Sequence, residues 1–93
     1  MAGLESELDE ILATPVFMRG ENRPLRELTV ADVRDRAAEL RSTVGWGPTA
    51  RVAPVARAWA ELAAAMARES APTVSGVSRE TLREIGSRLW VKL

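Results

Sequence analysis

The segment between residues 52 and 69 constrains the fold most, because it is apolar on almost every side of a helix. Its large apolar residues recur at helical spacing along one seam, formed by Val55, Trp59, Leu62 and Met66. Its alanines form a second stripe beside that seam, at Ala56, Ala60, Ala63 and Ala67. A helix this apolar must be covered on more than one side. We therefore expect a helix over about 50–69 to be the central element of the fold, with Trp59 in the core.

Three further segments show helical periodicity, at about 4–13, 30–44 and 79–91. Thr29 stands three residues before Asp32, which is a variant of the capping box and predicts the start of the second helix. Ser78 predicts the start of the last helix in the same way. The charged residues of the second helix, Asp32 among them, are expected to face away from the core.

No strand is predicted, because no run of useful length alternates between apolar and polar residues. Residues 19–28 are predicted to be a loop, in which the polar stretch RGENR is the expected mobile part. The predicted fold is all-α, a small single-domain bundle of about four helices with the third helix central. Within that domain, residues 1–18 would form an acidic helical arm and residues 29–93 the helical core.

The composition argues against most enzyme classes. Histidine, cysteine and tyrosine are all absent, which removes the commonest general base, the thiol nucleophile and the usual zinc ligands. The sequence GWG has the spacing of neither phosphate-binding glycine motif. We therefore expect no catalytic residue, no cofactor and no metal site.

The charge is balanced overall but unevenly placed. Residues 1–18 hold four acidic and no basic side chain, whereas the rest of the chain holds thirteen basic and nine acidic ones. Arginine outnumbers lysine twelve to one, a bias typical of the GC-rich codons of a high-GC bacterium or its phage. The start MAGLESELDE lacks the basic region of a signal peptide, and no window approaches the ~20 apolar residues of a membrane span. A cytoplasmic protein without membrane insertion is expected.

The favoured functional hypothesis is a non-enzymatic protein–protein interaction module. Large apolar residues near both ends of the chain and in its middle suit interface anchors: Leu8, Leu12, Phe17, Met18, Trp46 and Trp90. The module could be a small phage-encoded or accessory factor that binds and modulates a bacterial host protein, and a homodimer is compatible with the apolar seams. The alternative is that the two ends of the chain pack on each other inside the monomer.

Trp46 lies between two glycines and a proline, in the sequence STVGWGPT between two predicted helices. A hydrophobic residue just outside a helix commonly packs onto its first turns, here onto Val52 or Val55. Trp46 is therefore either such a staple or an anchor displayed for a partner.

The alternative function is DNA binding. Residues 76–88 resemble the recognition-helix segment of bacterial helix-turn-helix regulators, with a Gly-apolar-Ser turn followed by a helix that carries Arg and Thr. The resemblance implies that Arg79, Thr81 and Arg83 would face the DNA groove and Ser78 a phosphate. Such a motif needs only three or four residues between its helices, and six to eight precede Val77 here. A single lysine and zero net charge also make nucleic acid the less favoured partner.

Overall fold

The computed structural model of the protein describes residues 3–43 and 52–90. Within these ranges the fold is mostly helical, with four α-helices and one two-stranded antiparallel sheet. The elements are α1 (Gly3–Ala13), β1 (Pro15–Met18), β2 (Glu21–Pro24), α2 (Val30–Thr43), α3 (Val52–Arg68) and α4 (Arg79–Gly86). Short 3₁₀ turns follow β2 at Leu25–Glu27 and precede α4 at Val74–Gly76.

Helix α3 is the central helix, as the sequence predicts. It packs against both α2 and α4, and Trp59, Leu62 and Met66 are completely buried. The indole Nε1 of Trp59 donates a hydrogen bond of 2.8 Å to the backbone oxygen of Leu89. The ring of Trp90 meets the Trp59 ring edge-on, with 6.4 Å between the centroids. Trp59 thereby ties the segment after α4 to the central helix.

Both predicted capping residues start their helices. The backbone N–H of Asp32 donates to Thr29 Oγ1 at 3.2 Å, and the backbone N–H of Thr29 donates to Asp32 Oδ2 at 3.1 Å. Ser78 Oγ accepts from the backbone N–H of Thr81 at 3.4 Å. At these two helix starts, side chains thus satisfy three backbone N–H groups that have no partner within the helix.

The prediction of an all-α fold with a loop over 19–28 is wrong in this part of the chain. Strand β1 pairs with β2 through a turn of only two residues, Arg19 and Gly20. Both turn residues have positive φ, 53° and 80°, as the tightest hairpin turns require. Four-residue strands are too short to show alternation, and Arg-Gly is not one of the strong hairpin dipeptides. The segment RGENR is therefore a turn leading into a strand.

The helix ends also differ from the prediction. Helix α4 stops at Gly86 instead of 91, and Leu89 N–H then donates to the oxygen of Gly86 in a turn. A Cβ on Gly86 would lie 3.3 Å from Ile11 Cγ2, so the glycine allows α1 and α4 to pack closely. Helix α3 ends with Ser70 in a left-handed conformation (φ 54°), and Ala71 N–H donates to the oxygen of Met66. Residue 44 and residues 50–51, the predicted boundaries of α2 and α3, lie outside the described residues.

Helix α1 packs against α4 and against the 3₁₀ turn at Leu25–Glu27. Leu8 on α1 is fully buried, while Ile11 and Leu12 are partly buried against the core. None of the helices in the two described ranges combines the length and apolarity that a membrane span requires.

Trp59→Ala is expected to be strongly destabilising, because it removes a fully buried aromatic side chain and its hydrogen bond to Leu89. The loss should be about 3–5 kcal/mol of unfolding free energy. The matched control is Trp90→Ala, which removes a half-buried indole and should cost less, about 1–3 kcal/mol. Chemical unfolding followed by circular dichroism measures both. Equal losses for the two variants would contradict the central position of Trp59.

Candidate functional site

Strand β1 of the hairpin alternates between buried and exposed side chains. Val16 and Met18 on β1 point into the core, whereas Phe17 between them keeps 63% of its surface exposed. Among the described residues, Phe17 is the only large hydrophobic residue that is exposed. The local sequence explains this arrangement, because successive side chains of a strand alternate between its faces.

The pairing register defines the outer face of the hairpin. Phe17 lies opposite Asn22, and Pro15 lies opposite Pro24. These two cross-strand pairs are two residues apart along the strands and therefore lie on the same face of the sheet. The four residues form a single surface, and none of them has a charged side chain. We call this surface the Phe17 face. Pro24 is half-buried, and the other three residues are exposed.

The edges of the hairpin are poor templates for an added strand. Closure by a two-residue turn makes Met18 and Glu21 a hydrogen-bonded pair, so the backbone groups of Phe17 and Asn22 point outward. The next outward positions are Pro15 and Pro24, which have no N–H to donate. Each edge therefore offers a single outward N–H. The hairpin therefore offers little backbone for pairing with an added strand.

Asp32 holds the hairpin against the start of α2. Arg19 Nη1 lies 2.8 Å from Asp32 Oδ1, and Arg23 Nη1 lies 3.7 Å from Asp32 Oδ2. Arg19 also pairs with Asp35 one turn further along α2. The expectation that Asp32 faces away from the core is wrong, because this residue is only 5% exposed. Its side chain lies between the hairpin and the helix and contacts both.

The environment of Asp32 keeps its carboxylate ionised. Its pKa is lowered, chiefly by the hydrogen bond from the backbone N–H of Thr29 and also by the hydrogen bond from Arg19. Burial acts in the opposite direction, because it disfavours the charged form. The charged Asp32 is therefore stabilised by its partners in the folded state, and its role at this position is structural.

The structure separates the six residues predicted to bind a partner. Leu8 and Met18 are buried in the core, with 1% and 7% of their surface exposed. Leu12 and Trp90 are half-buried and packed against the core. Trp46 lies outside the described residues. Of the six, Phe17 is the one that the described structure places in an exposed position.

Two of the residues predicted to bind DNA are occupied by another contact. The backbone N–H of Ser78 donates to Glu69 Oε1 at 2.8 Å, and Thr81 Oγ1 donates to Glu69 Oε2 at 3.1 Å. The hydrogen bond from Ser78 is the main reason that the pKa of Glu69 is lowered. Arg79 and Arg83 are exposed. Residues 69–78 separate α3 from α4, more than a helix-turn-helix requires.

The surroundings of Arg83 are also unfavourable for a phosphate backbone. Arg83 lines a groove of about 280 Å³ between α1 and α4, together with Glu7 of the acidic first helix. A carboxylate beside the presumed reading helix would repel phosphates. No cluster of three or more metal-ligating side chains occurs within the part of the chain that the structure describes.

Comparison with protein-family models, with curated proteins and with solved structures finds no match to this chain.

Sequence reasoning missed the contact between the hairpin and α2. Thr29 and Asp32 were recognisable as a capping pair, but nothing in the spacing indicates that Arg19 and Arg23 reach the same carboxylate. The one signal for this contact in the sequence is that the segment RGENR lies only a few residues before the capping pair of Thr29 and Asp32.

Asp32→Asn is expected to reduce the unfolding free energy at neutral pH and to make this free energy less dependent on pH in the acid range. The pKa of Asp32 is lower in the folded state than in the unfolded chain, where it is about 3.9. The ionised carboxylate therefore stabilises the fold at pH values above the unfolded-state pKa, and this contribution is lost as the pH falls through the folded-state pKa. Loss of the charged hydrogen bonds should cost about 1–3 kcal/mol at pH 7. Urea unfolding at several pH values between about 7 and 2 measures the difference in unfolding free energy between the unmodified protein and Asp32→Asn. This difference should become smaller below about pH 4.

The matched control is Asp35→Asn, since Asp35 also pairs with Arg19 but is exposed. This variant should lose much less stability at pH 7 than Asp32→Asn. Equal effects of the two variants would show that Asp32 has no special role in holding the hairpin.

Proposed function

We propose that the protein is a non-enzymatic protein–protein interaction module that contacts its partner through the Phe17 face. The observation that carries this proposal is the 63% exposure of Phe17 between two buried neighbours on a hairpin that is anchored to α2. The partner is a protein with an apolar pocket for the ring. An accessory or phage-encoded factor that modulates a bacterial host protein would have this kind of activity.

The properties of the Phe17 face suit a small interface core. Aromatic side chains are enriched at the energetic centres of interfaces, where charged residues are depleted. The Phe17 face is uncharged, because the charged Glu21 and Arg23 lie opposite Met18 and Val16 and therefore belong to the other face of the hairpin. The ring can thus be buried without removing a charge from water.

Anchoring of the hairpin lowers the cost of binding. Arg19 and Arg23 both contact Asp32, so the strand that carries Phe17 is held in position before any partner arrives. A surface that is already ordered loses less conformational entropy when it binds. The DNA-binding alternative has no comparable support, because Ser78 and Thr81 already bond to Glu69.

The test compares single substitutions at adjacent positions of β1. Phe17→Ser removes the exposed ring and should leave thermal unfolding within a few degrees of the unmodified protein. Met18→Ser removes a buried side chain and should cost about 2–5 kcal/mol. Affinity capture from a nuclease-treated lysate, quantified by mass spectrometry, should lose its specific protein with Phe17→Ser. Met18→Ser should reduce capture only in proportion to the folded fraction.

Two results would contradict the proposal. One is retention of the same proteins by Phe17→Ser and by the unmodified chain. The other is loss of every specific protein on nuclease treatment, which would indicate a nucleic-acid partner.

A further inference from the structure

A second surface, independent of the hairpin, lies between α2 and α3. It is a groove of about 330 Å³ whose floor consists of alanines from both helices: Ala37, Ala38, Ala60, Ala63 and Ala64. Arg34 and Arg41 of α2 complete the lining. Ala60 and Ala63 belong to the alanine stripe of α3, so this part of the stripe lines an open groove and is not covered by another described element.

The groove carries charge of one sign. Arg34 and Arg41 are seven residues apart on α2 and therefore lie on the same side of the helix, about 10 Å from each other along its axis. Neither arginine forms an ion pair or a hydrogen bond with another side chain in the described ranges. None of the described residues that line the groove is acidic. Its occupant should therefore be acidic and should have small side chains that fit the alanine floor.

Helix α1 has these properties on its exposed side. Glu7, Asp9 and Glu10 are exposed, and none of them forms an ion pair with another described residue. Glu7 lies at the border of this side, since it also lines the groove that contains Arg83. Ala13, one turn after Glu10, is also exposed and small. The apolar side of α1 faces its own core through Leu8. What remains outside is an acidic helix surface whose charge is complementary to the groove.

We propose that the groove of one copy receives the exposed side of α1 from a second copy. Within a single copy, α1 packs on α4 and on Leu25–Glu27, so its acidic side remains available. The chain as a whole is neutral, so two copies do not repel each other through net charge. The groove and α1 are different surfaces. The contact forms a two-fold dimer where each copy both gives α1 and receives the α1 of the other, and a ring or an open chain where the exchange is not reciprocal.

The strength of this contact should depend on salt. Its ion pairs are near the surface, where each contributes little and is screened by dissolved ions. The association should therefore be weak, visible at low ionic strength and reduced at high ionic strength. It involves no residue of the Phe17 face, so it can fail or succeed independently of the proposed function.

Sedimentation equilibrium of the full chain tests the proposal. The apparent mass should rise with protein concentration in about 0.01 M salt and return to the monomer value of 10.1 kDa in about 1 M salt. The double variant Arg34→Glu/Arg41→Glu should remain monomeric, and so should Glu7→Arg/Glu10→Arg. The neutral double variant Arg34→Gln/Arg41→Gln should associate less than the unmodified chain. Circular dichroism checks that each variant keeps its helix content.

An equimolar mixture of the two charge-reversed variants is the decisive sample. Each variant retains the surface that the other has lost, so the mixture should form complexes at low salt although neither component does alone. The control is a mixture of Arg57→Glu/Arg68→Glu with Glu80→Arg/Glu84→Arg, which has the same net charges but is altered outside both surfaces and should gain no complexes beyond those of the unmodified chain. The proposal is overturned if the unmodified chain is monomeric at all concentrations. It is also overturned if both charge-reversed variants associate as strongly as the unmodified chain, or if the mixture stays monomeric.

Discussion

The ion pairs of Asp32 are the interaction on which the arrangement of this small protein depends. Among the described residues, Asp32 is the buried polar or charged residue. A carboxylate without partners at such a position would be costly. Thr29 and the two arginines Arg19 and Arg23 supply those partners from two directions. The same side chain thus starts α2 and fixes the hairpin that precedes it.

The position of the hairpin determines what the surface displays. Val16 and Met18 extend the core of the helices, and their burial forces Phe17 to the outside. Arg19 adopts a left-handed backbone conformation at the turn, which is unfavourable for a residue with a side chain. From this conformation Arg19 contacts Asp32 and Asp35. The exposed ring is therefore a consequence of the burial of its two neighbours on β1, and the turn holds that strand beside the start of α2.

The sequence predicted the features that depend on long periodicity or on local capping. The seam through Trp59 indicated the central helix, and Thr29 and Ser78 marked two helix starts. Periodicity gave wrong predictions where the elements are short, and where a contact with a residue from another element determines burial or the end of a helix. It placed Asp32 outside, because a helical pattern does not reveal a hairpin lying over the first turn. It also extended α4 through Leu89, whereas the chain turns after Gly86 and brings the Leu89 carbonyl to Trp59.

Amide hydrogen exchange of the hairpin, measured by NMR, tests most directly whether Asp32 fixes this segment. The pairing register places the N–H groups of Val16 and Arg23 inside the ladder between the two strands. The account predicts that both amides exchange slowly in the unmodified protein and much faster in Asp32→Asn, while the amide of Leu62 in α3 changes little. Val16 and Arg23 amides that exchange at the rate of an unstructured peptide in the unmodified protein would contradict it.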